Sequence, residues 1–520
     1  MPYYEVENFG AGVDTRRNEL GAPAGTLRSL VNAHITPGGE IEKRKVFALA
    51  FDLIDGEYAD YYEHSFGLAS EGEGLVTFKD AAIADPPGTW PTDGLWTWGY
   101  TPPDTSGDGY SGQSLTLLKL TGSDFANAVP DAVALDTLVD WDIYNGKIYL
   151  VAQGGPNGTP QHFYDGARVT GGQGKYIRTF KSKMYSVDDT TIYFSAPTDP
   201  TDWTGTGSGY IDSLTFASST GRLNGLEIYY DNLAVFSTSG VQIWAMDADP
   251  DNNALIQVIR ATGLLGVSTP IQYGDGDVMY LAADGIRSLR ARDSSNAGSV
   301  SDVGSPIDAE IQKSFRSEYD NYVNQTKTLL DAGTGRFWLS FGEHIWVLSF
   351  FPGPKVTAWS QYIPEYDGEI LCVKNMTQAR QQPVVLADDG RIYVYGGLTG
   401  DDYDLSEAVA TLPFMGLGYP AHEKLFKGLD IIATSSWEAE MAPQSNAPMY
   451  IPISTTVGST IDHGRIGFSA QSGAISLKFR ARDATWLKRN NVLRCRKRRF
   501  YGFRPPVIRR NDARQRPHSI

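Results

Sequence analysis

Catalysis and metal binding need donor side chains at set spacings, so histidines, carboxylates and glycine-rich turns are weighed first. The seven histidines stand at positions 34, 64, 162, 344, 422, 463 and 518, too scattered for a local His-Glu-x-x-His set, and Cys372 and Cys495 form no Cys-x-x-Cys. Asp247, Asp249 and Asp251 open like a calcium loop, but Asn252 stands where that loop needs Gly and Val258 where it needs its bidentate Glu. A polar turn is expected there. Gly171-Gly172-Gln173-Gly174-Lys175 resembles a phosphate loop, yet Val169 replaces its first Gly, no Ser or Thr follows Lys175, and a strand pattern follows in place of a helix. The acid pairs Asp188/Asp189 and Asp388/Asp389 precede strands, where Asp bonds its own backbone. A glycosidase would also use two carboxylates, held at a set separation. No Gly-x-Ser-x-Gly elbow occurs. No residue is therefore assigned a catalytic, cofactor-binding or metal-ligating role, and the chain is read as a non-enzyme.

The elements that would position any site are strands. From about residue 114, short alternating apolar runs follow Gly, Asn or Asp turns, as in 145–151, 188–195, 231–236, 277–281, 335–341 and 390–395. Their centres Tyr149, Tyr193, Val235, Tyr280, Trp338 and Tyr393 are 44, 42, 45, 58 and 55 residues apart. Such a period predicts an all-β fold, a β-propeller of about six blades, with an irregular pair of β-sandwiches as the alternative. Few short helices are expected; one is 305–315, where Ser305 and Pro306 precede Ile307, Ile311 and Phe315. Residues 81–113 hold five Pro, six Gly and the tryptophans Trp90, Trp96 and Trp98, which predicts a long docking loop. The expected division is 1–50 as a segment lending strands to the body, 51–397 as the propeller, 398–480 as a C-terminal β domain, and 481–520 as a basic end.

The 520 residues include 55 Gly, 28 Pro and 61 aromatics, enough turn formers and apolar surface for more than one folded β-rich domain. Net charge is −16, but unevenly spread: residues 471–520 hold 15 bases and two acids, or +13, leaving 30 bases and 59 acids, or −29, on the first 470. Arg494, Arg496, Lys497, Arg498, Arg499, Arg509 and Arg510 make the basic end a candidate contact for a neighbouring subunit or for DNA. No apolar run is long enough to span a bilayer, and the first residues lack the pattern of a secretory signal. Synthesis in a cytoplasm with free thiols is expected.

Several stretches are similar to the tail nozzle or hub proteins of short-tailed bacteriophages, also called tail tubular protein B or packaged-DNA stabilisation proteins. They are Phe9-Gly10-Ala11-Gly12-Val13-Asp14-Thr15-Arg16, 22–27, Leu30-Val31-Asn32-Ala33, Gly38-Gly39-Glu40-Ile41-Glu42-Lys43-Arg44, 196–203 and 209–212, with thinner matches at 477–480 and 498–502. The resemblance implies a structural virion protein, made in the host cytoplasm and carried in the viral tail. It implies a homohexameric ring below the portal and its adaptor, contacts with tail fibre or spike proteins, and a lumen that retains double-stranded DNA and conducts it at ejection without sequence specificity. A −29 body would weakly repel DNA and let it slide. The alternative is a propeller-bearing tail enzyme that binds or depolymerises polysaccharide, suggested by the aromatics and the paired acids.

Overall fold

A computed structural model describes residues 5–52 and 137–481 apart from short breaks, together with strands Gly74–Thr77, Leu95–Thr101, Ser114–Thr121, Asp124–Asn127 and Val492–Leu493. The strand pattern folds as its turns dictate. Asn145-Gly146 (φ 49° and 73°) joins Thr137–Tyr144 to Lys147–Gly154, and Asp165-Gly166 (φ 51° and 81°) joins Thr159–Tyr164 to Ala167–Val169. Two consecutive residues with positive φ make the tight hairpin turn whose twist suits antiparallel strands. Repetition of such hairpins builds an all-β propeller with additional C-terminal strands and few short helices.

Among the described residues seven antiparallel meanders succeed one another, and five are complete four-stranded blades, against about six expected from spacing. They span 74–127, 137–169, 176–212 and 223–260, and the fifth joins Val373–Ala379, Gln382–Ala387 and Arg391–Tyr395 to the early strand Phe47–Asp52. The meander at 271–288 has three strands, and the one at 328–362 merges into a nine-stranded sheet. First strands of successive meanders touch one another from Thr137–Tyr144 round to Val373–Ala379 and on to Gly74–Thr77, so they surround the axis. Two details differ from the sequence reading. Tyr193 and Tyr393 lie on third strands, whereas Tyr149, Val235, Tyr280 and Trp338 lie on second strands. And Leu95–Thr101, inside the segment expected to be a loop, is a strand of the 74–127 blade, because Leu-Trp-Thr-Trp-Gly-Tyr-Thr alternates in spite of its Pro and Gly flanks.

At the three-stranded meander, ion pairs replace the missing strand. Arg287 meets Asp308 at 2.8 Å and Arg292 meets Asp302 at 2.9 Å, while Ile307, just before the short helix 308–314, and Ile311 within it are fully buried. The helix expected from the Ser-Pro start is thus present, one face inward.

The N-terminal segment forms a seam between propeller and C-terminal strands. Ser29–Val31 pairs antiparallel with Ala408–Thr411, and Val31 pairs in parallel with Gln361, which makes one sheet out of Val356–Tyr362 and the C-terminal strands. Asn32 then turns the chain with φ 52°. Its side-chain oxygen accepts from Arg44 Nε and Ile363 N, both at 2.9 Å, and its amide donates to Glu407 O at 3.1 Å. Arg44, with no exposed surface, also donates to Asp404 Oδ2 at 2.6 Å and to Ile363 O at 3.0 Å. Gly12 (φ 58°) lies so close to Val356–Tyr362 that a Cβ would stand 2.6 Å from Ala358 Cα. Around these contacts Phe9, Leu27, Leu30, Trp359, Trp437 and Phe479 form part of the largest apolar cluster.

Replacing Arg44 by Met removes the charge but keeps most of the length, leaving Asp404 and Asn32 without their main partner inside the seam. Loss of one member of a buried ion pair costs about 3–5 kcal/mol. Urea unfolding of Arg44→Met should show a loss of that order, while the partly exposed Lys478→Met should stay within about 0.5 kcal/mol of the parent.

Candidate functional site

The residues singled out from sequence as contacts fall unevenly in the structure. Trp96 and Trp98 lie on Leu95–Thr101. Trp90, Arg494, Arg496, Lys497, Arg498, Arg499, Arg509 and Arg510 lie outside the described residues; the strand Val492–Leu493, just before Arg494, pairs with Glu42 and Ile41.

The apparent chemical motifs resolve into structural bonds. In the phosphate-loop look-alike, His162 Nε2 lies 3.0 Å from Gly174 O, which can only accept, so Nε2 carries the proton. Its Nδ1 then accepts from Tyr149 OH at 2.9 Å, and Tyr149 accepts from Trp203 Nε1 at 3.1 Å. Burial pushes His162 down to about 4, so it is neutral at physiological pH. A second buried histidine repeats the arrangement in the seam: His34 donates from Nε2 to Glu42 at 3.3 Å and accepts at Nδ1 from Tyr362 OH at 2.7 Å. Burial lowers His34 to about 4. Burial of Glu42 is outweighed by its bond from His34, which holds the carboxyl at about 2.

The calcium-like loop is the polar turn expected: Asp247 accepts from Asp249 N at 2.9 Å, and Asp249 caps Pro250–Asn252 by accepting from Asp251 N at 3.2 Å. Asp188 meets Lys175 at 3.4 Å and Asp189 meets Arg222 at 2.8 Å, while Asp389 accepts from Arg391 N and Tyr393 OH. Neither acid pair presents two unengaged carboxylates across a gap.

The concentration of charge that spacing did not reveal is at the propeller axis, on first strands of neighbouring blades. Asp140 and Asp142 come from Thr137–Tyr144, Arg178 from Tyr176–Phe180, Glu227 from Leu223–Tyr229, and Lys327 precedes Thr328–Asp331. Asp140 accepts from Ile177 N at 2.7 Å and Asp142 from Thr179 N, so each carboxylate binds the unpaired backbone of the next blade. Arg178 continues the chain, 3.1 Å from Glu227 Oε2 and 3.4 Å from Leu226 O. Arg178 keeps 24% of its side chain exposed. Burial lifts Asp140 to about 6 against the pull of Arg178, and lowers Lys327 to about 8 against Asp140. The cluster joins blades and can change charge near neutral pH. The signal that could have found it is the Asp-x-Asp repeat of 140–142, read only as part of a strand. Among the described residues no group of His, Cys, Asp and Glu is arranged to hold a metal ion.

No family model matches the chain, and no curated protein does. Among solved structures it is similar to the WD40 domain of Neurospora crassa Pan2, at 8% identity over 64% of this chain and 91% of that one, with a TM-score of 0.37. It is similar to BamB of Moraxella catarrhalis at 12% identity over 64% and 84%, TM-score 0.36, and to the computationally designed protein Ika8 at 10% identity over 63% and 96%, TM-score 0.35. The blades described above define the fold class without them.

Proton linkage follows from the shifts. His34 and His162 bind protons near 6.5 when unfolded and near 4 when folded, so their contribution to stability is lost as pH falls through that window. Asp140 has the opposite sign: folded near 6 and unfolded near 3.8, it contributes below 3.8 and loses that contribution as pH rises through 6. At pH 5 the histidines take up protons on unfolding while Asp140 releases one. Asp140→Asn should therefore show about one more proton taken up on unfolding at pH 5 than the parent, measured by calorimetry in buffers of different ionisation enthalpy.

Proposed function

We propose that this chain is a structural protein of a short bacteriophage tail, a nozzle subunit that assembles with its own copies below the portal adaptor. One observation carries the reading. The stretches that resemble the nozzle family, 9–16, 22–27, 30–33 and 38–44, are the ones that build the seam, through Gly12, Asn32 and Arg44. The resemblance therefore falls on residues with an architectural part in this chain, which suits a structural role.

The DNA conduit in this reading lies between copies in a ring, hexameric by the resemblance. The axis of a single propeller is lined by Asp140, Arg178 and Glu227 in contact across neighbouring blades, while duplex DNA has a major groove about 12 Å wide on its own. An acidic body suits a wall along which DNA slides, and the basic end suits an acidic neighbour or DNA at rest. The adaptor, the fibre or spike proteins and the virion tail as destination belong to the same proposal.

Electron microscopy of the purified chain, alone and with the tail adaptor protein, should show rings; a single chain under both conditions would sink the reading. DNA contact, if made through the basic end, should be electrostatic. Duplex binding by the full chain should fall by orders of magnitude between about 50 and 200 mM salt, and should be absent from a chain ending at residue 481.

A further inference from the structure

Asparagine followed by glycine can modify itself. The glycine backbone nitrogen attacks the side-chain carbonyl carbon, the side-chain amide leaves as ammonia and takes the proton of that N–H with it, and water then opens the cyclic imide to aspartate or isoaspartate. Water is the only co-reactant. The attack needs open space around the glycine N–H and an asparagine side chain that nothing holds. Three Asn-Gly pairs occur, at 145–146, 157–158 and 224–225, and the second lies outside the described residues.

The fold decides between the other two. Asn224 lies within Leu223–Tyr229 and donates to Leu264 O at 3.0 Å, and a Cβ on Gly225 would stand 2.6 Å from Leu264 Cδ2. Imide formation there would require the strand to leave its sheet. Asn145 and Gly146 are exposed at the tip of the hairpin of Thr137–Tyr144 and Lys147–Gly154, where Lys147 pairs with Tyr144 below the turn. Beyond its chain neighbours nothing lies within 4 Å of the place a Gly146 Cβ would take, and no described residue bonds the Asn145 side chain. The similar turn Asp165-Gly166 is protected in another way: its carboxylate accepts from Lys147 Nζ at 2.5 Å, and a carboxylate resists attack by an amide nitrogen.

We propose that Asn145 is a self-modification site, and that its isoaspartate form slackens the joint between the 137–169 and 176–212 blades. Two-residue hairpin loops hold their strands in register through residues with positive φ, and isoaspartate threads the main chain through the former side chain, which lengthens the turn by one atom. The strand that enters the turn carries the carboxylates of that joint. Asp142 and Asp140 stand opposite Tyr149 and Val151 in the hairpin and accept from Thr179 N and Ile177 N of the next blade. A change of register at the turn therefore moves both acceptors. The inference is independent of the nozzle reading above.

Peptide mapping of the full chain after ageing in mildly alkaline buffer reads each pair separately. Asn145 should gain one mass unit, in part as isoaspartate, while Asn224 keeps its amide. In urea, where the strand no longer shields it, Asn224 should react as readily as Asn145. An Asn145 that keeps its amide as long as Asn224 does in the folded chain would overturn the site, and an Asn224 equally inert in urea would overturn the part given to the fold. Hydrogen exchange tests the consequence: the amides of Ile177 and Thr179 should exchange several-fold faster in chains with isoaspartate at 145 than in the parent. Freshly prepared Asn145→Asp, which adds the same charge without lengthening the turn, should exchange like the parent. Equal exchange in the isoaspartate and parent chains, or equally fast exchange in Asn145→Asp, would overturn the slackened joint.

Discussion

The architecture depends on one buried hydrogen-bonded turn, Asn32 held by Arg44. Ser29–Val31 enters a sheet with a propeller strand on one side and a C-terminal strand on the other, and the chain must then leave without stranding polar groups. Asn32 makes that exit with a left-handed backbone, tolerable for Asn because its short side chain can bond locally. Its carbonyl oxygen takes donors from Arg44 and Ile363, and Arg44 takes its counter-charge from Asp404. The N-terminal segment, the end of Val356–Tyr362 and the turn at Asp404 are thereby fixed to one another where Asn32 and Arg44 are almost wholly buried and a lost partner would be costly.

A similar rule governs the axis. First strands of a propeller leave amides facing the next blade, and buried amides must be satisfied. Asp140 and Asp142 accept them directly, and Arg178 passes the connection on to Glu227. The concentration of charge at the centre is thus largely the means of joining blades. Asp140 nevertheless retains a property a purely structural acid would lack, a proton affinity displaced into the range where cells and their surroundings differ.

Much of the fold was legible because strands and turns are local. Asn145-Gly146 announces its hairpin, and Ser305-Pro306 its helix. The spacing argument slipped where strands of one blade resemble each other: Tyr193 and Tyr393 look like Tyr149 but belong to third strands. It also passed over Leu95–Thr101, whose Pro- and Gly-rich flanks outweighed its alternation. The axial site was not legible, since Asp140, Arg178, Glu227 and Lys327 are separated by tens of residues or more and converge only when blades stand side by side. The seam was visible as a set of Gly and Asn positions, but its physical reason, close approach to Val356–Tyr362, depends on residues more than 300 positions away.

The pairing of Phe47–Asp52 with Arg391–Tyr395 also has a consequence for birth order. The strand that completes the fifth blade leaves the ribosome early, but its partner appears some 340 residues later, and the strand Ile475–Ala481 that flanks the seam later still. At a synthesis rate of about 5–20 residues per second, the early strand waits tens of seconds without its mate. During that interval the nascent chain carries an unpaired edge and an unfilled seam, a condition in which chaperone binding matters. The same delay is a safeguard: a copy cut short in translation lacks the C-terminal half of its clasp and cannot complete the seam.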